Sequence, residues 1–276
     1  IGVLHVHGRD AAAFLQAQAM NDVAALGVGR WHWNGLLTAK GRVIFLFALA
    51  RVADDGFLLV APDAGADELK AHLQRFVFRS KLALDDTGAP LAAAGVGEGG
   101  VGDNQLLDGG DGAIGLDVSG EGGARVLWLL PAAHPALAPA VEATTAAWRL
   151  ADLAHGLPRL DPGQREAWTP QMLSLDRLAA YSLKKGCYPG QEIVARTHYL
   201  GQAKRGLARF ATDTRPQHGA AVTDATGREL GRIACVAGAG DGAEVLAVLP
   251  AELPADTSLS AGTALAPLPL LPGLAR

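Results

Sequence analysis

The apolar positions of the first sixty residues fall into runs that predict strands. Residues 31–37 and 42–52 are mostly apolar and are separated by the turn sequence Thr38-Ala39-Lys40-Gly41, which predicts an antiparallel pair. Asp54-Asp55-Gly56 is typical of a hairpin turn, and a further apolar run over 57–61 follows it directly. Residues 31–61 are therefore predicted to form consecutive antiparallel strands.

Helical patterns occur between and around these strands. Asp10 precedes an alanine-rich stretch, as a helix N-cap would. Residues 63–78 repeat apolar side chains at i, i+4, i+7 and i+8, which predicts an amphipathic helix. Short strands are expected near 114–116 and 125–130, and a further helix at about 135–150. Strands and helices mixed in this way predict an α+β fold.

The pattern changes after residue 205. Short apolar runs alternate with Gly, Asp and Pro turns, which predicts a small antiparallel β-barrel. Its predicted strands span 207–211, 231–236 and 244–249. The Pro- and Leu-rich tail, residues 266–272, is expected to pack extended on this barrel. We therefore predict an α+β region over 1–205, with a possible subdivision near 86–112, and a barrel over 206–276.

Composition narrows the range of partners. The chain of 276 residues carries a net charge of −4 and no basic stripe, so direct nucleic-acid binding is not expected. It has no apolar run of about 18 residues, so no membrane partner is expected either. Its two cysteines make no disulfide scaffold, which favours a reducing cytoplasm. No secretory leader opens the chain, and because it does not begin with Met we expect a short piece to precede Ile1.

The densest group of reactive residues is Lys184-Lys185-Gly186-Cys187-Tyr188-Pro189-Gly190-Gln191-Glu192. Lysines lower the pKa of a neighbouring thiol, and the thiolate is the form that attacks electrophiles or binds metal. Glycine adopts positive φ and lets a second molecule approach the backbone closely. The stretch therefore predicts an exposed, tightly turned loop that presents Cys187.

A helix is predicted directly after this loop, over residues 191–199. Glu192 and Arg196 are four residues apart, which favours an ion pair on one helix face. If the helix begins near Gly190, its positive end points back towards Cys187 and favours the thiolate.

Other partners of the thiol are less clearly indicated. His198 and His155 each stay open as the base of a Cys–His nucleophilic pair. Cys235 lies in an apolar strand and is predicted to pack in the core. No CxxC motif is present, so no metal site made by this chain alone is predicted.

Residues 185–192, Lys-Gly-Cys-Tyr-Pro-Gly-Gln-Glu, resemble the signature of the YgfZ family. These are folate-binding proteins related to the aminomethyltransferase (T-protein) of the glycine cleavage system. Further segments that resemble the family are Phe14-Leu15-Gln16-Ala17-Gln18 with Asn21-Asp22-Val23, Ala39-Lys40-Gly41-Arg42, Trp168-Thr169-Pro170-Gln171, and the stretch from Gly201 to Arg205. The resemblance therefore spans nearly the whole chain.

The resemblance implies a folate-binding α+β region of two pseudo-related subdomains and a β-barrel, arranged as a ring whose central hole takes tetrahydrofolate or a derivative. It also implies a role in building or repairing iron–sulfur clusters of client enzymes, including some that modify tRNA, through transient contacts. Cys187 is carried over as the essential thiol, with Lys185 beside it in the catalytic group. The other signature residues are Gly186, Tyr188, Gly190, Gln191, Glu192 and Arg196. The expected folate-binding residues are Trp148, Asp152, His155, Gln171 and Lys40.

Two departures from the relatives bear on activity. T-proteins carry acidic residues after the first hairpin turn, one of which supports the transfer, whereas residues 42–47 here contain no carboxylate. Ala154 holds the place of an acid that contacts the pterin in relatives. Substitution by Asp152 or His155, or a different mode of folate binding, stays open.

Two alternative functions also stay open. One is a tetrahydrofolate-dependent one-carbon (aminomethyl) transferase, which turnover of a one-carbon donor would reveal. The other is a non-catalytic docking or redox-sensing protein, for which the reactivity of the Cys187 thiol is the discriminating measurement.

Overall fold

The computed structural model describes residues 1–86, 93–95, 103–131, 133–201, 203–238, 240, 242–254 and 257–276. In chain order these form β1 (Gly2–His7), α1 (Ala11–Gln18), β2 (Arg30–Leu37), β3 (Val43–Ala53), β4 (Gly56–Ala61), α2 (Ala66–Gln74), β5 (Ala83–Asp86), β6 (Ala93–Gly95), β7 (Leu106–Asp108), β8 (Ile114–Asp117), β9 (Val126–Leu129), α3 (Glu142–Ala154), α4 (Gln191–Leu200), β10 (Arg205–Thr212), β11 (Ala221–Asp224), β12 (Glu229–Ala237), β13 (Ala243–Pro250), β14 (Leu259–Ser260) and β15 (Ala264–Leu268). Short 3₁₀ turns occupy Pro162–Gln164 and Leu175–Leu178.

The first sheet is antiparallel, with strand order β2-β3-β4-β1-β5. Side chains from one face form a core with α1 and α2, and side chains from the other face, including Trp31 and Trp33, enter a second core. Because both faces are covered, the strands read as continuous apolar runs, and the predicted strands and hairpins are confirmed. Asp10 precedes α1 as predicted, but its carboxylate accepts from the Lys81 backbone N–H and does not cap the helix.

The second sheet has the order β6-β9-β8-β7, and α3 follows it. The strands predicted near 114–116 and 125–130 are β8 and β9. Two predicted helices differ in extent. Pro135 and Pro139 lack the N–H that a helix interior requires, so α3 begins only at Glu142 and runs on to Ala154. The helix predicted over 63–78 is α2 and spans nine residues.

The described strands from β10 onward form a closed antiparallel barrel with the order β10-β13-β12-β11-β14-β15, in which β10 and β15 pair. The predicted α+β fold with a C-terminal barrel is therefore confirmed. The predicted boundary at 205/206 and the subdivision near 86–112 stay predictions, and residues 87–92 and 96–102 lie outside the described part of the chain.

The tail follows the barrel only in part, which corrects the prediction for residues 266–272. Pro269 has no N–H to offer a neighbouring strand, and β15 ends directly before it. Residues 269–276, here called the C-terminal strap, then cross to α3 and the first two sheets. The Leu271 N–H donates to the Ala154 carbonyl (2.7 Å), the Trp33 indole N–H donates to the Leu274 carbonyl (2.9 Å), and Arg276 donates to the Ser119 carbonyl (2.7 Å).

Candidate functional site

The signature loop leads from the 3₁₀ turn at Leu175–Leu178 to the start of α4, and Cys187 lies exposed on it. The expectation that this thiol is accessible is met. A sulfur buried in apolar packing would have had no route to a ligand or partner.

Lys185 has a structural task that the sequence did not reveal. Its buried ammonium donates to the carbonyls of Gln16 (2.6 Å), Ala19 (2.5 Å) and Asn21 (3.1 Å) at the C-terminal end of α1. Burial lowers the pKa of Lys185 to about 8. A cation at this end of a helix satisfies carbonyls that the helix leaves unpaired. The positive charge of Lys185, which was expected to act on Cys187, therefore interacts with the carbonyls at the end of α1 instead.

Two further signature side chains brace the loop from inside. Tyr188 is buried, its hydroxyl donates to the Ser182 carbonyl (3.3 Å), and burial raises its pKa to about 12. The Gln191 side chain donates to the Lys185 carbonyl (3.2 Å). The loop is thus fixed on both sides of Cys187.

Gly190 joins the signature loop to the first hairpin turn. Its φ is 79°, and a Cβ there would lie 2.6 Å from the Thr38 carbonyl oxygen and 2.7 Å from the Gly41 Cα. Only glycine fits both the backbone conformation and the space. Gly186 differs: its φ is outside the left-handed region and a Cβ would meet open space, so the positive φ expected for both glycines is wrong for Gly186.

Helix α4 begins at Gln191, directly after Gly190 as predicted and four residues beyond Cys187. Glu192 and Arg196 form the predicted pair at 3.2 Å, and both are well exposed. Exposed pairs of this kind contribute little stability.

The histidines considered for a Cys–His pair lie elsewhere. Buried His155 bonds the Ala151 carbonyl through Nδ1 (2.7 Å) and accepts from the Gly122 N–H at Nε2 (3.3 Å), so both ring nitrogens are used. Burial lowers its pKa, which keeps it neutral. His198 is exposed on α4, with its ring edge-on to Tyr199. In the described part of the chain, neither histidine hydrogen-bonds Cys187.

Cys235 lies in the hydrophobic core, as predicted. It is fully buried in β12, and its sulfur accepts from the Arg159 N–H (3.1 Å) and donates to the Arg159 carbonyl (3.2 Å). Burial raises the pKa of this thiol to about 12, so it remains protonated.

Asp152 and Trp148, two of the expected folate residues, lie on α3 in contact with buried arginines. Asp152 is buried between Arg125 (2.8 Å) and Arg159 (2.5 Å), and both of its oxygens are taken. The Arg125 guanidinium lies 4.8 Å from the Trp148 ring centroid, over its face. Asp152 therefore has an internal partner for each oxygen that was expected to meet the pterin.

The remaining expected folate residues lie at other places. Gln171 donates to the Val194 carbonyl (2.9 Å) of α4, and its buried Oε1 has no partner among the described residues. Lys40 is exposed at the turn between β2 and β3. Trp148, Asp152 and His155 thus lie on or directly after α3, whereas Gln171 and Lys40 lie elsewhere.

Two cavities lie among these elements. The first, here called the signature-side cavity, has a volume of about 570 Å³ and is lined by residues that include Ser182, Leu183 and Lys184 of the signature loop. The second, the Arg159 cavity, has a volume of about 400 Å³ and lies between α2, α3 and the barrel. Trp148 and Asp152 border a small pocket of about 20 Å³ that shares Ile1, Pro62 and Arg159 with it.

Two residues of the signature-side cavity were missed by the sequence reasoning. His32 is a polar residue in the middle of a buried strand, between two tryptophans, and that interruption is a usable signal. Tyr181 lines the same cavity, and burial raises its pKa to about 12. Its sequence context gave no comparable signal.

The fold defines the class of protein. The structure is similar to that of the glycine cleavage system aminomethyltransferase T from Bartonella henselae, with a TM-score of 0.66 and 18% identity, over 97% of this chain and 82% of that one. At this identity the likeness shows a shared fold.

Sequence relatives place the chain more narrowly. A protein of Haemophilus influenzae described as uncharacterized is 30% identical over 219 residues, covering 78% of this chain and 72% of its own. The tRNA-modifying protein YgfZ of Aliivibrio fischeri is 29% identical over 270 residues, covering 91% and 83%. No protein-family model matches the chain. The chain belongs to the YgfZ family.

Proposed function

We propose that this protein binds tetrahydrofolate or a derivative and assists the synthesis or repair of iron–sulfur clusters in client enzymes, with Cys187 as the functional thiol. The proposal rests on how the fold holds the loop around this thiol in place while leaving the thiol exposed. Lys185, Tyr188, Gly190 and Gln191 each anchor the signature loop, while Cys187 remains exposed between them. Such a loop holds one sulfur in a fixed place for a second molecule.

The chemistry of the thiol fits a transient role with iron or sulfide. Thiolate is the ordinary ligand of iron in these clusters. Within the described residues there is no group of three or more His, Cys, Asp or Glu side chains that could hold a metal ion. One thiol cannot hold a cluster alone, so the other ligands would come from a client enzyme. The same thiol next to a folate also suits one-carbon or thiol chemistry.

Several relatives are named tRNA-modifying proteins, which supports the proposal that the client enzymes include some that modify tRNA. On this proposal the link to tRNA runs through cluster-containing enzymes in the cytoplasm. None of the helices in the described part of the chain is long and apolar enough to cross a bilayer.

A complementation experiment tests the role of the thiol. A strain that lacks the gene and has low cluster-enzyme activity would receive the wild type, Cys187→Ser or the matched control Cys235→Ala. We expect Cys187→Ser to fail and Cys235→Ala, provided it folds, to restore activity. Full restoration by Cys187→Ser would contradict the proposal.

The alternatives have their own measurements. The T-protein fold permits one-carbon transfer, but the absence of carboxylates in residues 42–47 argues against it, and turnover of an aminomethyl donor would revive it. A docking or redox-sensing role is favoured if Cys187 is alkylated no faster than the cysteine of a model peptide at neutral pH. A faster reaction supports a functional thiol.

A further inference from the structure

The hydrogen bonds around His32 fix the position of its proton. His32 lies in β2, is only 8% exposed, and lines the signature-side cavity. The Asn34 side-chain oxygen accepts from the backbone N–H groups of Asn21 (2.9 Å) and Gly35 (2.8 Å). Its Nδ2 is therefore the atom that lies 3.2 Å from His32 Nε2 and donates to it. Because Nε2 accepts a hydrogen bond, the proton of the neutral ring is on Nδ1.

The Nδ1–H of His32 is open to the cavity. It has no partner among the described residues, and it does not belong to their unpartnered atoms that are closed off from solvent. Burial lowers the pKa of His32 to about 4; of its charged neighbours, Lys185 adds to this lowering and Asp22 opposes it. His32 is therefore a neutral donor at the wall of the cavity, whereas a polar group at such depth is normally paired.

The lining of the cavity favours a polypeptide as the source of the missing acceptor. A neutral donor suits an uncharged acceptor, because their pairing desolvates no charge. The amide carbonyl, which every residue carries, is the commonest such group in proteins. The well-exposed charges in the lining are Asp176 and Lys184, one of each sign, so a polyanion such as RNA gains no net attraction there.

The cavity also lies where a partner of the thiol would cover it. Lys184 lines the cavity and precedes Cys187 by three residues, so their Cα atoms are at most about 11 Å apart. An interface of standard size covers roughly 800 Å² on each protein, which corresponds to a disc of about 16 Å radius. A client enzyme whose interface is centred on Cys187 therefore extends over the mouth of the cavity.

We propose that a client enzyme inserts a segment of its polypeptide into the signature-side cavity, and that an amide carbonyl of this segment accepts a hydrogen bond from His32 Nδ1. The inference rests on the proposed function, in which a client meets Cys187, and adds a docking site to it. A thiol alone contacts the client at one atom. A second attachment beside it fixes the orientation in which the client presents its cluster ligands to the sulfur.

Binding of a purified client, measured by biolayer interferometry, tests the inference. The probe is a cluster-containing enzyme whose activity falls in the strain that lacks the gene, purified without its cluster. His32→Phe keeps a ring and loses the donor, whereas His32→Asn keeps an N–H near the position of Nδ1. The matched control is His218→Phe, an exposed histidine at the Arg159 cavity.

We expect His32→Phe to weaken client binding roughly 5- to 150-fold, the range for a buried carbonyl left unpaired. His32→Asn should recover part of this loss, and His218→Phe should bind the client as the wild type does. Affinity for 5-formyltetrahydrofolate, measured by calorimetry, should be the same in all four proteins. An equal loss of folate affinity in His32→Phe would contradict a site reserved for the client.

Ala25→Trp provides a second test if His32→Phe does not fold. Ala25 is exposed and lines the cavity, and it enters the described hydrogen bonds only through its backbone. The larger side chain therefore takes up space at the cavity and leaves the network around His32 intact. We expect it to weaken client binding without lowering the melting temperature.

The outcomes distinguish the inference from the function on which it rests. If the client does not bind the wild type, the proposed function fails and the inference falls with it. If the client binds, but His32→Phe and Ala25→Trp bind it as the wild type does, the function stands and the inference is overturned. It is also overturned if these variants lose affinity for tRNA and keep it for the client, because the cavity would then hold nucleic acid.

Discussion

The two cavities differ in how the buried polar groups beside them are satisfied. At the Arg159 cavity and its small neighbour, Asp152 is held by two arginines, and Arg159 also pairs with Asp63 at 3.3 Å. At the signature-side cavity, the Nδ1 of buried His32 has no partner among the described residues. Ion pairs that close on each other stabilise an arrangement of elements, whereas a fixed but unpaired donor is available to a ligand.

The comparison shows that polar residues near an opening can already be satisfied by partners within the protein. The resemblance to the family implied Trp148 and Asp152 as folate-binding residues. The structure uses the Asp152 carboxylate to hold α3 against its surroundings. Whether a buried polar group still has capacity to bond is the more informative property, and only the contacts reveal it.

The largest effect is expected from Asp152→Ala, which tests whether the Arg159 side is primarily structural. The change leaves the guanidinium groups of Arg125 and Arg159 buried without their carboxylate. We expect the free energy of unfolding to fall by about 3–5 kcal/mol, measured by urea denaturation at neutral pH. Asp176→Ala at the exposed rim of the other cavity is the control and should change it by less than about 0.5 kcal/mol. A loss below about 1 kcal/mol for Asp152→Ala would remove the contrast between the cavities.

Protonation of His32, at the signature-side cavity, is expected to lower the free energy of unfolding by about 3 kcal/mol as the pH falls. Its pKa is lowered from 6.5 to about 4 in the folded state, so the unfolded chain binds the proton more readily. The stability that His32 contributes is therefore present above pH 6.5 and is lost as the pH falls towards 4, at about 1.4 kcal/mol per pKa unit.

Urea denaturation of the wild type and His32→Asn at several pH values isolates this effect. The other histidines and the carboxylates titrate in both proteins, so the difference between the two curves reports His32. Parallel curves from pH 7 to 4 would show that the ring is not kept neutral by its surroundings.

Lys185→Met should lower the free energy of unfolding by about 1–3 kcal/mol, because three carbonyls at the end of α1 lose their shared donor. Hydrogen exchange of the α1 amides should rise as that end of the helix frays. Lys184→Met is the neighbouring control, since Lys184 is exposed and should change stability by less than about 0.5 kcal/mol. Equal effects of the two substitutions would show that the signature loop is not anchored through Lys185.

The smallest effect is expected from Arg196→Ala. Arg196 and Glu192 form an exposed ion pair four residues apart on one helix, so we expect the free energy of unfolding to fall by about 0.3–0.5 kcal/mol. Because Arg196 lines neither cavity, folate affinity should not change. A clear loss of cluster-enzyme activity with normal stability would instead assign Arg196 to a contact with client enzymes.

Local patterns predicted the local structure well. Three strands of the first sheet (β2, β3 and β4), three strands of the barrel (β10, β12 and β13), α4 and the Glu192–Arg196 pair all follow from periodicity, turn residues and short spacings. The start of α3 was predicted too early, although Pro135 and Pro139 were visible in the sequence.

The rest depends on contacts between distant residues. Lys185 reaches Gln16 across 169 positions, and Trp33 reaches Leu274 across 241, so no window of the sequence contains either pair. The availability of His32 depends in turn on which way the Asn34 amide faces. Composition and spacing show which residue types are present, whereas hydrogen-bond networks between distant residues determine the role of each side chain.

The C-terminal strap gives the barrel a second attachment to the remainder of the molecule. The chain enters the barrel at Arg205 and, after leaving it, is tied down again at α3 and β2. A module anchored at both of its ends cannot swing outward as a hinged lid while those bonds persist. Calorimetry should accordingly register one melting event for the barrel and the sheets together, and cleavage of the peptide chain between Leu268 and Leu271 should resolve it into two.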